Sequence, residues 1–409
     1  MLHSSKQKIL NDPVYGFVQV PYGILFDLFE HPWFQRLRRI KQLSLTHYVY
    51  PGALHTRFHH ALGALHLMTQ AIEALRAKGI EISVEEAEAV SIAILLHDIG
   101  HGPFSHTLEH TLIQHVHHEE LSLLFMQQLN EQFDGKLQLA IDIFQDRYTR
   151  RFFHQLVSGQ LDMDRMDYLT RDSFFTGVYE GVIGYDRIIK MLSVVNDQLV
   201  VEEKGIYSIE KFLMARRLMY WQVYLHKTVL SAEQMLVRTL QRARELALNG
   251  VQLDVSKPLA YFLYQKMDRQ FVKMHSEELL DQFAQLDDFD VVSALKSFVH
   301  HPDATLSFLA DGLINRNLFK LILQNEPFTS DQVEKIRLKI RQTQAIPDAD
   351  LNYLVFRGKE SNSAYSTVKD EIYILFKHGE VRPMSVSSDQ ELKTSIITKY
   401  YLCYPKNIF

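Results

Sequence analysis

Residues 83–100 read SVEEAEAVSIAILLHDIG, and they constrain the architecture more than any other stretch. Ser83 and Glu86 stand three apart in front of an apolar run, the pattern of a capping box, and Gly100 supplies the stop. Ala89, Ile92, Ala93 and Leu96 recur at helical spacing, so the segment predicts a helix packed into a core along one face. Helical periodicity dominates from Pro32 to about Leu246, broken by QLVVEEKGIYS between a helix running to Leu192 and one beginning near Ile209. KILNDPVYGFVQV reads as a β-hairpin about an Asn-Asp-Pro turn, and residues 255–345 read as shorter helices. The tail alternates differently: NYLVFR, EIYILFK and VRPMSV predict a small sheet. The expected fold is mainly α, a helical bundle with an amino-terminal β-hairpin and a small carboxyl-terminal α+β appendage. Its expected division is 1–250 for the main helical body and 251–409 for a further helical region with the small sheet.

The chain has 409 residues, of which 46% are hydrophobic and 23% charged, the balance of an ordinary globular protein with a sizeable core. A formal net charge of -5 provides no global positive field, so nucleic acid is not the expected main partner and any polyanion site must be local. Cys403 is the single cysteine, which excludes an intrachain disulfide and a cysteine-built zinc site. The start MLHSSKQKIL has no apolar run of signal length, and no segment reaches about 18 consecutive apolar residues. A cytoplasmic protein with no membrane partner is the expectation.

Histidine is the compositional anomaly: of 20 in the chain, 11 lie between His55 and His118. Imidazole is both a common metal ligand and a proton donor suited to neutral pH. His97-Asp98 ends the apolar helix, where side chains leave the core. TRFHHALGALH sets His60 near the start of an earlier helix, and LDMDRMDYLTRD sets Asp164 on a later one. Two imidazoles and two carboxylates from separate helices match the way bundles build metal sites. The residues alone fit helix-surface ion pairs as well. Such mixed ligation suits Mn, Fe, Zn, Ni or Mg, and the ligand types do not choose among these divalent ions.

RFHHALG, HDIGHGPFSH and LDMDRMDYLTRD resemble, in order and spacing, the H…HD…D signature of HD-domain phosphohydrolases. The chain is most similar to the branch that contains the deoxynucleoside-triphosphate triphosphohydrolases, from Lys8 to about Lys227. HGPFSH is far more specific than the His-Asp pair it follows. The resemblance implies that His60, His97, Asp98 and Asp164 hold the metal. It implies that His101, His106 and His118 contact the α-phosphate and donate a proton, with Glu109 orienting His106 and Glu119 completing a His-Glu pair. His110, His115 and His117 match nothing in the family and read as surface.

For the substrate, Arg57 lies one turn before His60 and can clamp phosphate, and Arg165 stands where the family carries a basic residue. ARRLMYWQVYLHK spaces Arg216, Tyr220, Tyr224 and Lys227 four, four and three apart, on one helical face. In the family that helix covers the nucleotide. Tyr220 and Leu225 stand where histidine or glutamine is common, so no base preference carries over. Gln42, Leu43, Tyr168 and Asp172 resemble residues that meet the sugar, where a tight floor excludes a 2′-hydroxyl. Lys8, Glu30, Gln35 and Arg38 resemble a pocket between subunits for an activating guanine nucleotide. A homo-oligomer, dimer or tetramer, is expected with it. The implied reaction is hydrolysis of a deoxynucleoside triphosphate to deoxynucleoside and triphosphate. The alternatives are another HD-type phosphomonoesterase or phosphodiesterase, or a nucleotide sensor without turnover.

Overall fold

The computed structural model describes residues 6–343, 347–362, 365, 371–389 and 396–406. The first five residues, part of the segment read for signal character, lie outside them. Strand β1 (Gln7–Asp12) pairs antiparallel with β2 (Gly16–Pro21), Lys8 opposite Val20, as the hairpin reading predicts. Asp12 makes the turn: its Oδ1 accepts from the backbone N–H of Val14 and Tyr15 at 2.9 and 3.0 Å.

Six helices position the site: α1 (Arg57–Ala77), α2 (Val84–Leu96), α3 (His118–Gln132), α4 (Met163–Thr176), α5 (Ile206–Met219) and α6 (Lys227–Leu248). Helix α2 begins at the predicted cap. Ser83 Oγ accepts from Glu86 N at 3.1 Å, and the Glu86 carboxylate accepts from Ser83 N at 2.8 Å. The expectation of one packed face is too narrow, because Val90, Ser91, Ile94 and Leu95 are buried as well as Ala89, Ile92, Ala93 and Leu96. Helix α1 covers one side of α2, and the short helices at 138–144 and 152–157 cover others. From Ala89 onward every residue of α2 is buried, so only its carboxyl end is left to present side chains to a cavity. His97 and Asp98 occupy that end.

Two close approaches bring the other helices to it. Helix α1 meets α4 at Gly63, where a Cβ would collide with the Asp167 carboxylate and the Arg171 guanidinium. At Gly100 a Cβ would strike the backbone of His118 and Ser122, so glycine lets α3 lie directly against the turn after Asp98.

The remaining strands are β3 (Leu192–Val195), β4 (Gln198–Glu202), β5 (Lys320–Gln324), β6 (Phe356–Asn362), β7 (Tyr373–Leu375), β8 (Val381–Pro383) and β9 (Ile397–Tyr404). The predicted interruption is a hairpin, β3–β4, and the tail completes it: β7 joins β4 in parallel with Val201 opposite Ile374, and β8 follows. A second sheet runs β5–β9–β6, all antiparallel. Its β5 lies within the stretch read as helical, since the three apolar residues of KLILQ have no period of their own to separate strand from helix. NYLVFR is half helix, with Leu351–Leu354 helical and β6 starting at Phe356. Cys403 sits on the central strand β9 between Leu321 and Phe356, fully buried, with Sγ 3.7 Å from Ser231 Oγ. Among the described residues no helix is long and apolar enough to cross a membrane.

Candidate active site

Helix α1 delivers His60 in its first turn, α2 ends in His97 and Asp98, and α4 delivers Asp164 in its first turn. The Nε2 atoms of His60 and His97 face each other at 3.3 Å. Asp164 Oδ1 stands 3.1 Å from His60 Nε2 and 3.7 Å from His97 Nε2. Asp98 flanks them, Oδ2 lying 3.6 Å from His60 Nε2 and Oδ1 3.4 Å from His97 Nε2.

The far nitrogens decide what these rings offer. His97 Nδ1 is 2.6 Å from the carbonyl oxygen of Ile94, and His60 Nδ1 is 2.7 Å from Asp167 Oδ2. Both partners accept only, so each Nδ1 is the donor, and a neutral ring then turns the lone pair of Nε2 to the common point. Burial works against charge at His60, yet hydrogen bonds to Asp164 and Asp167, with Asp98 close by, carry it up to about 10. His97 is raised against its burial by Asp98 and Asp164. The imidazoles hold Asp164 well below the ordinary carboxylate range although burial opposes this. Such a pocket demands positive charge. His60, His97 and Asp164 suit a divalent cation by position, tautomer and charge, with Asp98 at their side.

Asp98 also ties this group to a second one. Arg57 Nη1 donates to Asp98 Oδ2 at 2.6 Å, and His101 Nε2 lies 3.3 Å from Oδ1. The His101 and His118 rings stack at 3.9 Å, with His106 4.8 and 5.0 Å from them. His101 is held well below the usual imidazole value by burial, then by Arg57 and His118. Glu109 touches His106, as expected, and a second ring as well. Its Oε1 accepts from the backbone N–H of His118 at 2.6 Å and stands 2.7 Å from that ring's Nδ1, while His106 is 3.5 Å from Oε2. Glu109 thus holds His118 more closely than His106, because α3 starts beside it. His110, His115 and His117 are exposed, as read.

A cavity of about 630 Å³ opens in front of both groups. Asp98, Asp164, His101, His106 and His118 line it, with exposed Glu119 at the rim. Arg57, Arg165 and Arg216 reach it, as do Gln42, Leu43 and Asp172. Tyr168, Tyr220 and Tyr224 line it as well. Lys227 does not share it. The chain widens into a π-turn over Tyr220–Tyr224 and breaks at Leu225, so Lys227 starts α6 on an exposed turn. Lys8, Glu30, Gln35 and Arg38 lie elsewhere. Arg38 Nε donates to Gln35 Oε1 at 2.7 Å, its guanidinium stands 3.5 Å over the Phe58 ring, and Lys8 and Glu30 are exposed.

Sequence reasoning misses the supports. Asp167 connects His60 to Arg171 at 3.0 Å, and Arg171 connects to Asp12 of the hairpin at 2.8 Å, all buried. The available signal was Asp167 and Arg171 four apart on α4, one turn past Asp164. His55 Nε2 is 2.7 Å from Asp172 Oδ1, and Tyr224 donates to Asp172 Oδ2 at 2.8 Å. His55 carries no local signal, since only the fold brings it to α4.

Residues 57–172 match the family model for the HD domain, and residues 183–254 match that for the HD associated region. A crystal structure of a phosphohydrolase from Bacteroides thetaiotaomicron is 52% identical, with a TM-score of 0.95 over 98% of this chain and 100% of that one. The chain is an HD-domain phosphohydrolase. An uncharacterized Bacillus subtilis protein, YwfO, is 30% identical over 99% of this chain and 93% of its own length. A Dictyostelium discoideum deoxynucleoside triphosphate triphosphohydrolase, a SAMHD1 homolog, is 32% identical over 61% of this chain and 52% of its own length. The alignment thus spans about half of that relative. The HD match ends at Asp172, the residue that holds both His55 and Tyr224, so the family segment contains all four expected metal ligands and both close approaches at Gly63 and Gly100.

Proposed function

We propose that this phosphohydrolase cleaves deoxynucleoside triphosphates at the α-phosphorus, releasing deoxynucleoside and triphosphate. The observation that supports this most is the union, in one cavity, of the carboxylates Asp98 and Asp164 of the His/Asp group, the second histidine set and three arginines. Three guanidinium groups are more cationic fork than a monophosphate can use, and they suit a triphosphate tail. His60, His97, Asp98 and Asp164 are assigned to the metal. A divalent cation there supplies charge stabilisation for phosphoryl oxygens.

The protein groups perform the rest. Arg57 is preset by Ser105 at 2.9 Å and by Asp98, so it meets phosphate without reorganising. Arg165 is anchored by Asp162 at 3.1 Å, and Arg216 closes the tail from α5. Water adds to Pα, the bond from Pα to the 5′ oxygen breaks, and that oxygen takes a proton from the His101/His106/His118 set. His106 stands at the open side, and Glu109 accepts the Nδ1–H of His118, so a proton carried outward on Nε2 makes that ring an imidazolium paired with the Glu109 carboxylate. Tyr168 and Leu43 floor the sugar and exclude a 2′-hydroxyl, while Asp172, fixed by His55 and Tyr224, faces its oxygens. The division at residue 250 is proposed as a functional one, with 251–409 backing the cavity.

The test is incubation with the four dNTPs and the four NTPs in Mn or Mg, with products separated by ion exchange. Free triphosphate from dNTPs and little from NTPs is expected. Orthophosphate or monophosphate release, with equal rates for dGTP and GTP, would indicate a phosphatase on the same scaffold. Nucleotide binding without turnover would indicate a sensor.

A further inference from the structure

A second cavity, of about 390 Å³, lies outside the active site, between α6, the start of β6 and the helix Ser330–Thr343. Arg238, Arg337 and Arg357 line it, one from each of these elements. Arg238 and Arg337 are half-buried, and Arg357 is exposed. Each guanidinium is fixed by a neutral acceptor. Arg238 Nη1 donates to Gln241 Oε1 at 2.9 Å, Arg337 Nη2 to Asn352 Oδ1 at 2.5 Å, and Arg357 Nη1 to the carbonyl oxygen of Phe328 at 2.5 Å. Arg238 also lies 4.8 Å over the Phe356 ring. These contacts hold the three forks in place and neutralise none of them. Glu334 is the one carboxylate in the lining, and it stands closer to Arg341, at 3.2 Å, than to Arg337, at 3.7 Å. Among the described residues no carboxylate pairs with Arg238 or Arg357. The Nε of Arg238 and that of Arg337 are buried without an acceptor, so neither side chain is satisfied by the protein. In a chain of net charge -5, three guanidinium groups facing a single carboxylate make a local positive surplus.

We propose that this cavity is a second anion site, separate from the active site, that takes a polyphosphate chain, either free or as the tail of a nucleotide. A planar guanidinium meets phosphate oxygens two at a time, so three of them from three elements exceed what one phosphate group offers and suit a chain of such groups. A volume of about 390 Å³ lies within the range of small-molecule sites. Two of its elements also reach the active-site cavity, α6 through Glu233 and Gln234 and β6 through Glu360. Gln234 and Arg238 stand one turn apart on α6, and Phe356 and Glu360 share one face of β6. The two cavities therefore have two elements in common.

The test is isothermal titration calorimetry of the metal-loaded protein with inorganic triphosphate in excess Mg, with ATP as a second titrant. The parent is expected to show a binding event that Arg238→Gln and Arg337→Gln each weaken about tenfold or more. The two substitutions lie on separate elements, so one serves if the other does not fold. The same event is expected to persist in Arg216→Ala, which removes a cation from the active site only. Tighter binding of ATP than of triphosphate assigns the site to a nucleotide tail, and equal or weaker binding assigns it to the free chain; both keep the site. Absence of triphosphate binding in the parent, or binding that neither substitution weakens, overturns the proposal. An event lost in Arg216→Ala and kept in the other two variants belongs to the active site and overturns it as well.

Discussion

His97 and His106 stand within one short stretch of chain, yet their environments assign them opposite duties. His97 is buried, its Nδ1 fixed on Ile94 and its Nε2 turned to His60. His106 is exposed at the cavity mouth. Accordingly His97→Ala is expected to lose the bound metal, read by elemental mass spectrometry, while circular dichroism stays native because α2 is held by its apolar residues. His106→Ala is expected to keep the metal and lose kcat by about 10²–10⁴-fold. Stoichiometric metal in His97→Ala would remove His97 from the ligand set. Glu233 gives a pH test. Burial, opposed by Thr107 and Ser44, lifts its carboxyl from an ordinary 4.5 to about 7. The folded state therefore holds the proton more tightly than the unfolded one. Stability is full below about pH 4.5 and falls as pH rises toward 7, by an upper bound of about 3.5 kcal/mol at about 1.4 kcal/mol per pH unit. Glu233→Gln removes that loss, so its melting temperature should exceed the parent's by more at pH 8 than at pH 5. An equal difference at both pH values would show that Glu233 ionises freely.

At the scale of elements, the crossing of α1 over α4 sets the ligand geometry. Gly63→Ala would push a methyl into Asp167 and Arg171, the pair that holds His60. Overpacking of this kind costs about 1–3 kcal/mol. The expected result is a lower denaturation midpoint together with weaker metal retention under chelator. Unchanged metal retention would mean that the crossing does not position His60. This crossing also shows what the chain discloses before folding. The capping box at Ser83, the end of α2 at the His-Asp pair and the hairpin at Asp12 are local, and local patterns carry them. The role of Asp167 was hidden because His60, and Asp12 through Arg171, reach it only by packing. Strand β5 was hidden because a short apolar run fits helix and strand alike. The pairing of β4 with β7 joins residues about 170 positions apart and has no sequence signature at all.

For the whole molecule, association is tested at the face that carries Arg38. Arg38 lies on Phe58 and is held by Gln35, with the Glu30 carboxylate within electrostatic reach, and Lys8 is exposed on the hairpin. If this face receives a guanine nucleotide between subunits, GTP should both speed hydrolysis of another dNTP and raise the oligomer fraction seen by mass photometry. Linkage requires the two effects to move together, at about 1–3 kcal/mol of coupling. Arg38→Ala should abolish both and spare basal turnover; a variant that responds as the parent does places the activator elsewhere. Experiments of this kind need a reporter, and the core of the second sheet provides for one. Cys403 is fully buried, and burial pushes its thiol up to about 12 despite the neighbouring Ser231. A thiol that neither reaches solvent nor ionises is silent toward maleimides. The native chain is therefore already a cysteine-free background in practice, and one cysteine introduced at an exposed position would take a fluorophore or spin label alone, with no residue removed to make room for it.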